Sequence, residues 1–274
     1  MKIIRFIYML SISDTFQQLK GKCAFIPFVT AGNPSLDTTE KILKILDEYG
    51  ADIIEVGLPY SDPLADGPVI QEASARALTA GASFDKVINM LEKVIPHLTT
   101  PVVLFTYYNP IISKGPENFV SIIAKIGVKG LLVPDLPLEE SEYLLKITKE
   151  YGIEMIMLIA PTSPISRVEA IAKMATGCIY LVSSTGVTGL RDSFAINIKD
   201  LVKQIKSFTN IPIIIGFGIS TAEHIKQVKK WGVEGIVMGS AFVKILLNNE
   251  VDHSSQIKDL CIVSKKAVEE PNLV

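Results

Sequence analysis

The amino-acid sequence predicts one closed (β/α)₈ barrel, and three observations predict it. Eight apolar, strand-like runs recur along the 274 residues. Segments with helical apolar spacing lie between them. Glycines follow several of those segments, one or two residues before the next run. Eight strand–helix units suit a closed barrel, whereas a doubly wound open sheet usually has fewer strands. No linker or shift of composition divides the chain. Residues 1–274 therefore read as a single domain, with 1–13 as an N-terminal extension.

The runs are Cys23–Thr30, Asp52–Val56, Val102–Tyr107, Gly130–Pro134, Met155–Ala160, Ile179–Ser183, Ile213–Phe217 and Gly235–Met238. They are rich in Ile, Val, Leu and Phe with little alternation, as expected of parallel strands buried on both faces. Between the first two, Thr38–Tyr49 places Ile42, Leu43, Ile45, Leu46 and Tyr49 on one helical face. Ser141–Tyr151 and Thr221–Trp231 repeat the pattern. Gly50, Gly127, Gly152 and Gly232 stand where a left-handed helix C-terminus is expected. The lysines of Lys226–Lys230 read as solvated helix surface.

Composition excludes several classes. The net charge is −2, so no basic field exists to attract nucleic acid or an anionic membrane. No apolar run reaches the roughly 18 residues of a membrane span. The opening Met1–Leu10 is basic and apolar, but too short and without a clean small-residue cleavage site for a signal peptide. It reads as a short helix or arm over one end of the domain. Cys23, Cys178 and Cys261 lack CxxC or Cys/His neighbours and read as reduced core residues of an intracellular protein. The three histidines, His97, His224 and His253, share no metal-ligand spacing with acids, so no metal is expected.

The most informative stretch is Ile53–Pro68. An apolar strand carries a carboxylate, Glu55, near its end, and a proline-stiffened loop adds Asp62 and Asp66. Burying a charge on a strand is costly. In a barrel the C-terminal strand ends carry the active site, which is where an acid/base pair would be kept. Tyr107-Tyr108-Asn109 and Asp135 fall on the same face. Asp62 sits in Ser-Asp-Pro, a common turn sequence, and is assigned a structural role. Asp135, in Pro134-Asp135-Leu136-Pro137, reads as a loop-orienting residue.

Three glycine-bearing segments follow the last three runs: Ser183–Gly189, Gly216–Ser220 and Met238-Gly239-Ser240. In barrels such segments donate backbone N–H groups to a phosphate, aided by a short helix N-terminus, here starting at Ser240. No Walker loop is present, and Gly216-Phe217-Gly218 lacks the rest of a dinucleotide fingerprint. A small phosphorylated metabolite is the expected ligand.

With those residues in hand, the chain resembles the α subunit of tryptophan synthase. The resemblance runs from about Asp14 to the last helix. It rests on Phe25–Gly32, the long motif Glu55–Pro68, Gly186-Val187-Thr188-Gly189 and Gly216–Ser220. It implies retro-aldol cleavage of indole-3-glycerol phosphate to indole and glyceraldehyde 3-phosphate. It also implies a pyridoxal-phosphate-dependent β subunit as partner in an α₂β₂ heterotetramer, with no cofactor in this chain. By the same resemblance Glu55 and Asp66 are the catalytic pair, and Phe28, Phe105, Leu132 and Tyr180 surround the indole. Thr188 closes the sixth loop, while Gly189, Phe217, Gly218, Gly239 and Ser240 hold the phosphate. The loop after the second run and Asn109-Pro110 help form the partner-facing surface. Ser183-Ser184-Thr185 departs from family members that carry an arginine at the middle position.

Plainer readings compete. Glu55 alone is equally a structural carboxylate paired inside the barrel; Tyr180 and Phe28 alone are core filling. A regulatory subunit that binds phosphorylated ligands without turnover is a second functional class, motivated by the altered sixth loop and opposed by the intact Glu55/Asp66 pair. A sugar-phosphate isomerase or decarboxylase would want a lysine at a strand end, and the runs hold almost none. The Ile- and Lys-rich composition suits an AT-rich genome, so cytoplasm and, for an organelle-encoded chain, plastid stroma are the expected locations.

Overall fold

The computed structural model describes residues 10–182, 192–216, 218–248 and 253–271, without the side chains of 192–197. Eight strands, β1 (Ala24–Thr30), β2 (Ile54–Gly57), β3 (Val102–Phe105), β4 (Gly130–Leu132), β5 (Glu154–Ile159), β6 (Ile179–Val182), β7 (Ile213–Gly216) and β8 (Gly235–Met238), close in sequence order into a barrel. Every pairing is parallel, including β1 with β8. The helices among the described residues are α1 (Ile12–Leu19), α2 (Leu36–Glu48), α3 (Pro68–Thr79), α4 (Phe84–Val94), α5 (Tyr108–Lys114), α6 (Pro116–Lys125), α7 (Ser141–Glu150), α8 (Ile165–Met174), α9 (Asp192–Lys206), α10 (Ala222–Lys229), α11 (Ser240–Leu247) and α12 (His253–Glu269). None is long and apolar enough to cross a membrane.

Strand alternation explains why the runs are apolar throughout. Successive side chains point to opposite faces of a strand. Ile26, Phe28, Val103, Leu132, Ile156, Tyr180, Ile214 and Val237 pack together inside the barrel. Their neighbours Phe25, Val29, Val56, Leu104, Leu131, Met157, Leu181, Ile215 and Ile236 pack outward under the helices. Both faces are buried, so neither tolerates routine polar residues.

Local signals set the helix starts. The side chains of Ser35, Ser83 and Thr221 accept backbone N–H bonds at the starts of α2, α4 and α10, and Pro68 and Pro116 open α3 and α6. Gly50, Gly127, Gly152 and Gly232 all adopt positive φ, as the sequence indicates.

The bottom of the barrel is closed by α1. Ser11 and Asp14 form a capping box, and Ile12 is fully buried in the inner core. Its side chain lies against Gly130 and Gly177, where an added Cβ would approach it to 3.3 Å. The Ser13 N–H donates to Glu154 at 3.0 Å, and its hydroxyl bonds the same carboxylate. The arm expected over Met1–Leu10 falls, but for Leu10, outside the described residues.

The lysine cluster needs a correction. Lys226 is exposed and pairs with Glu270 at 2.7 Å, but Lys229 is buried. Its Nζ donates to the carbonyls of Val268 at 2.6 Å, Ala267 at 3.3 Å and Glu270. A cation there satisfies carbonyls that the end of α12 leaves without intrahelical partners. Lys229 lies four residues after buried Ile225, on the face that packs inward.

Candidate active site

Glu55 is the second residue of β2 and points into the barrel, level with Phe28 on β1 and Val103 on β3. It is 3% exposed. Burial, reinforced by the charge of Asp66, pushes its carboxyl up to about 8. It is therefore largely protonated near neutrality.

The loop after β2 is folded by its own turns. Leu64 N–H donates to the Asp62 carbonyl and Asp66 N–H to the Pro63 carbonyl, both at 3.0 Å. Gln71 Nε2 donates to the Asp66 carbonyl at 2.8 Å, and Gly67-Pro68 starts α3 directly behind it. The loop is thereby folded on itself and tied to α3, and Asp66 lines the cleft. Burial raises the Asp66 carboxyl to about 6, while a hydrogen bond from Tyr107 opposes the rise. The two carboxyls thus hold different charge states near pH 7, the arrangement that separates an acid from a base. The Asp62 side chain is exposed, and its backbone serves the turn.

One cleft, enclosing about 430 Å³ including its open mouth, brings these groups together. Its walls are Phe28, Glu55, Asp66, Ile70, Phe105, Tyr180, Val237, Gly218, Gly239 and Ser240. Phe28 meets Phe105 edge-on at 5.7 Å between ring centres. Leu132, level with Phe105 on the next strand, is fully buried in the inner core beneath the lining.

Two glycines make room for these rings. A Cβ on Gly57 would sit 2.6 Å from the Phe28 ring. One on Gly216 would sit 1.9 Å from the Tyr180 hydroxyl, so that ring crosses the bare backbone of β7. Gly216→Ala is expected to displace Tyr180 into the cleft, destabilise the fold by about 1–3 kcal/mol, and raise KM more than it lowers kcat. Denaturant unfolding and steady-state kinetics read both effects.

At the opposite rim, Gly239 precedes α11 and Ser240 is its first residue. The first N–H groups of a helix have no intrahelical acceptor, and they favour an anion. Gly218, with φ +77°, lines the cleft and has none of the described residues within 4 Å of where a Cβ would stand. Thr188, Gly189 and Phe217 lie outside the described residues.

Several other expectations find their places. Asp135 orients a loop, because its Oδ1 accepts the Tyr108 N–H at 2.8 Å at the start of α5. Cys23, Cys178 and Cys261 are free thiols. His253 bonds the Asn248 carbonyl at 2.7 Å, and among the described residues no three His, Cys, Asp or Glu gather as metal ligands. Sequence reasoning missed Ile70 and Val237 as lining residues. Val237 stands two residues before Gly239, on the inward side of β8, so strand period alone signals it. Ile70 follows Asp66 by one helix turn, a signal visible only once α3 is known to start at Pro68.

Comparisons with known proteins extend over most of the chain. The family model for the tryptophan synthase alpha chain matches residues 16–270. The tryptophan synthase alpha chain of Pyropia yezoensis is 52% identical, over 94% of this chain and 98% of the relative. That of Arabidopsis thaliana is 53% identical, over 87% and 88%. Among solved structures, the tryptophan synthase α₂β₂ complex of Pyrococcus furiosus, studied for its mutual activation, has a chain that matches with a TM-score of 0.81. Its identity is 36%, covering 89% of this chain and 98% of that one. The chain therefore belongs to the tryptophan synthase alpha chain family, lyases that cleave indole-3-glycerol phosphate.

Proposed function

We propose that Glu55 and Asp66 divide the proton transfers of that cleavage between them. Breaking the bond from indole C3 to the glycerol chain requires a proton on C3, which turns the ring into an electron-deficient indolenine. The adjacent side-chain hydroxyl must then lose its proton. The bonding pair returns to the ring, which leaves as indole, and the hydroxyl-bearing carbon becomes the aldehyde of glyceraldehyde 3-phosphate. Glu55, protonated at neutrality, delivers the proton to C3 and, as a carboxylate, takes the one from the hydroxyl. Asp66, ionised, faces the indole N–H, stabilises the positive charge that develops there, accepts that proton, and returns it to the nitrogen as the bonding pair goes back into the ring, so that neutral indole leaves.

Phe28, Phe105 and Tyr180 hold the indole ring, with Leu132 packed in the core behind them. Gly218, Gly239 and Ser240, with Gly189 and Phe217, hold the phosphate, and Thr188 closes over the substrate to exclude water. The single observation that carries this reading is the cleft itself. Two carboxyls with separated titration share it with aromatic side chains and with the open backbone at the start of α11.

The partner in this reading is a β subunit that binds pyridoxal phosphate and joins the released indole to serine, while this chain carries no cofactor. The α₂β₂ organisation of the Pyrococcus furiosus relative supports it. The algal and plant relatives and the Ile- and Lys-rich sequence fit a plastid stroma, or cytoplasm for a bacterial source. Steady-state indole release tests the function. The purified chain alone is expected to release indole slowly, and an added β subunit to raise the rate at least tenfold. A folded chain with partner bound and no release in either condition would exclude the reading.

A further inference from the structure

Two helices distant in sequence supply opposite rims of the cleft. Asp66 leads directly into α3, and Gln71 of that helix holds the Asp66 backbone carbonyl at 2.8 Å. Ile70, also on α3, lines the cleft. Gly239 and Ser240 open α11 at the other rim. The two helices pack against each other, with Val69 and Ala73 of α3 and Val243 and Leu247 of α11 in the inner core cluster. Each helix starts at the cleft and runs away from it.

Apolar contact between them is non-directional. At their far ends a polar contact adds a fixed register. Arg76 Nη1 donates to the backbone carbonyl of Leu247 at 2.7 Å. Leu247 is the last residue of α11, where a carbonyl has no intrahelical donor and a cation is favoured. Arg76 Nη2 pairs with Glu72 at 3.3 Å, one turn earlier on α3. Both side chains of that pair are more than a third exposed, so it adds little stability. Its effect is to aim the guanidinium, whose rigid fork serves both partners at once.

We propose that Arg76 is a positioning residue for the lyase reaction, fastening α3 to α11 so that Asp66 and the phosphate-binding start of α11 keep a fixed separation. The proposal rests on the reading of the cleft given above and deepens it. The substrate carries an indole ring and a phosphate at opposite ends of one short chain. Holding it for reaction requires both rims at a matched distance, and a small misplacement is costly in rate. A ligand that touches one rim has no such requirement. Arg76 therefore acts on the spanning substrate and leaves its separate halves alone.

Arg76→Ala removes the fastening. In this variant kcat/KM for indole-3-glycerol phosphate is expected to fall about tenfold, with kcat reduced as well as KM raised. Dissociation constants for indole alone and for inorganic phosphate alone, measured by titration calorimetry on the same chain, are expected to stay within about twofold of the parent's. Arg76→Lys keeps the charge without the fork and is expected to fall between the two. Glu72→Gln leaves Arg76 in place but unaimed. It is expected to lose about two- to threefold in kcat/KM with both fragments unmoved, and it serves if the alanine variant folds poorly. Fragment binding weakened as much as the substrate would show general loosening and overturn the proposal. So would a lowered Tm with kcat/KM unchanged. If the parent itself binds neither fragment and releases no indole, the reading of the cleft is what fails, and the role of Arg76 falls with it.

Discussion

Replacing Glu55 with glutamine is expected to abolish indole formation and to stabilise the fold at neutral and alkaline pH. The first effect follows from losing the only proposed group that both gives and takes a proton at the reacting carbons. A positioned general acid/base contributes about 10²–10⁴-fold, and here one residue serves two transfers, so the upper end is expected. The second follows from linkage. The Glu55 carboxyl titrates at about 8 in the fold, against 4.5 as its ordinary value. The folded state therefore binds the proton more tightly than the unfolded chain does. Stability is fully present below about pH 4.5 and is progressively lost as pH rises toward 8. At pH 7 the cost of the buried acid is on the order of 3 kcal/mol. Glutamine keeps the shape and never ionises. Its Tm should exceed that of the parent by about 6–12 °C at pH 8, with little difference at pH 4.5. Parallel melts at the two pH values check this. A variant less stable than the parent at pH 8 would show that Glu55 is a structural carboxylate, favoured in its charged form.

Asp66→Asn is the second large effect expected. Asparagine cannot carry the negative charge that stabilises the developing indolenine, so kcat should fall by about 10²–10³-fold. The pH profile should change shape as well. The parent needs Asp66 ionised and Glu55 protonated, which gives a bell with limbs near 6 and 8. In the asparagine variant the residual activity should lose the acid limb and keep the alkaline one. Steady-state rates between pH 5 and 9 measure this. A variant that retained the acid limb would assign that limb to some other group.

These two residues are also the part of the site most legible in the amino-acid sequence. A carboxylate among Ile53, Ile54 and Val56 conflicts with burial, and such a conflict marks function. The barrel itself is legible because both faces of each strand are buried, which leaves apolar runs with no polar alternation to obscure them. Run boundaries are less so. Asp52 reads as part of the second strand, but its carboxylate accepts the Phe25 N–H at 2.7 Å and pairs with Lys265 at 2.8 Å. It therefore ties together the bottom of the barrel rather than extending β2. The third run reads through to Tyr107, yet β3 ends at Phe105, because Tyr107 already caps α5.

What stays hidden depends on contacts between elements distant in sequence. The bond from the Ala65 N–H to the Tyr107 hydroxyl joins residues 42 apart, and no local pattern reports it. The close approach of Tyr180 to Gly216 crosses two neighbouring strands. Lys229 looks like surface because Lys226 and Lys230 stand close to it in sequence, and only the docking of α12 supplies the carbonyls that bury it. Sequence carries periodicity, caps and misplaced charge; it does not carry which distant backbone meets which side chain.

The central claim is that a protonated Glu55 and an ionised Asp66 act together on indole-3-glycerol phosphate. Initial rates of indole release from pH 5 to 9, for the parent chain and for Glu55→Gln, test it most directly. The account predicts a bell with limbs near 6 and 8 for the parent, and no release above background for the variant. A flat profile, or release from the folded Glu55→Gln chain at a rate near the parent's, would contradict it.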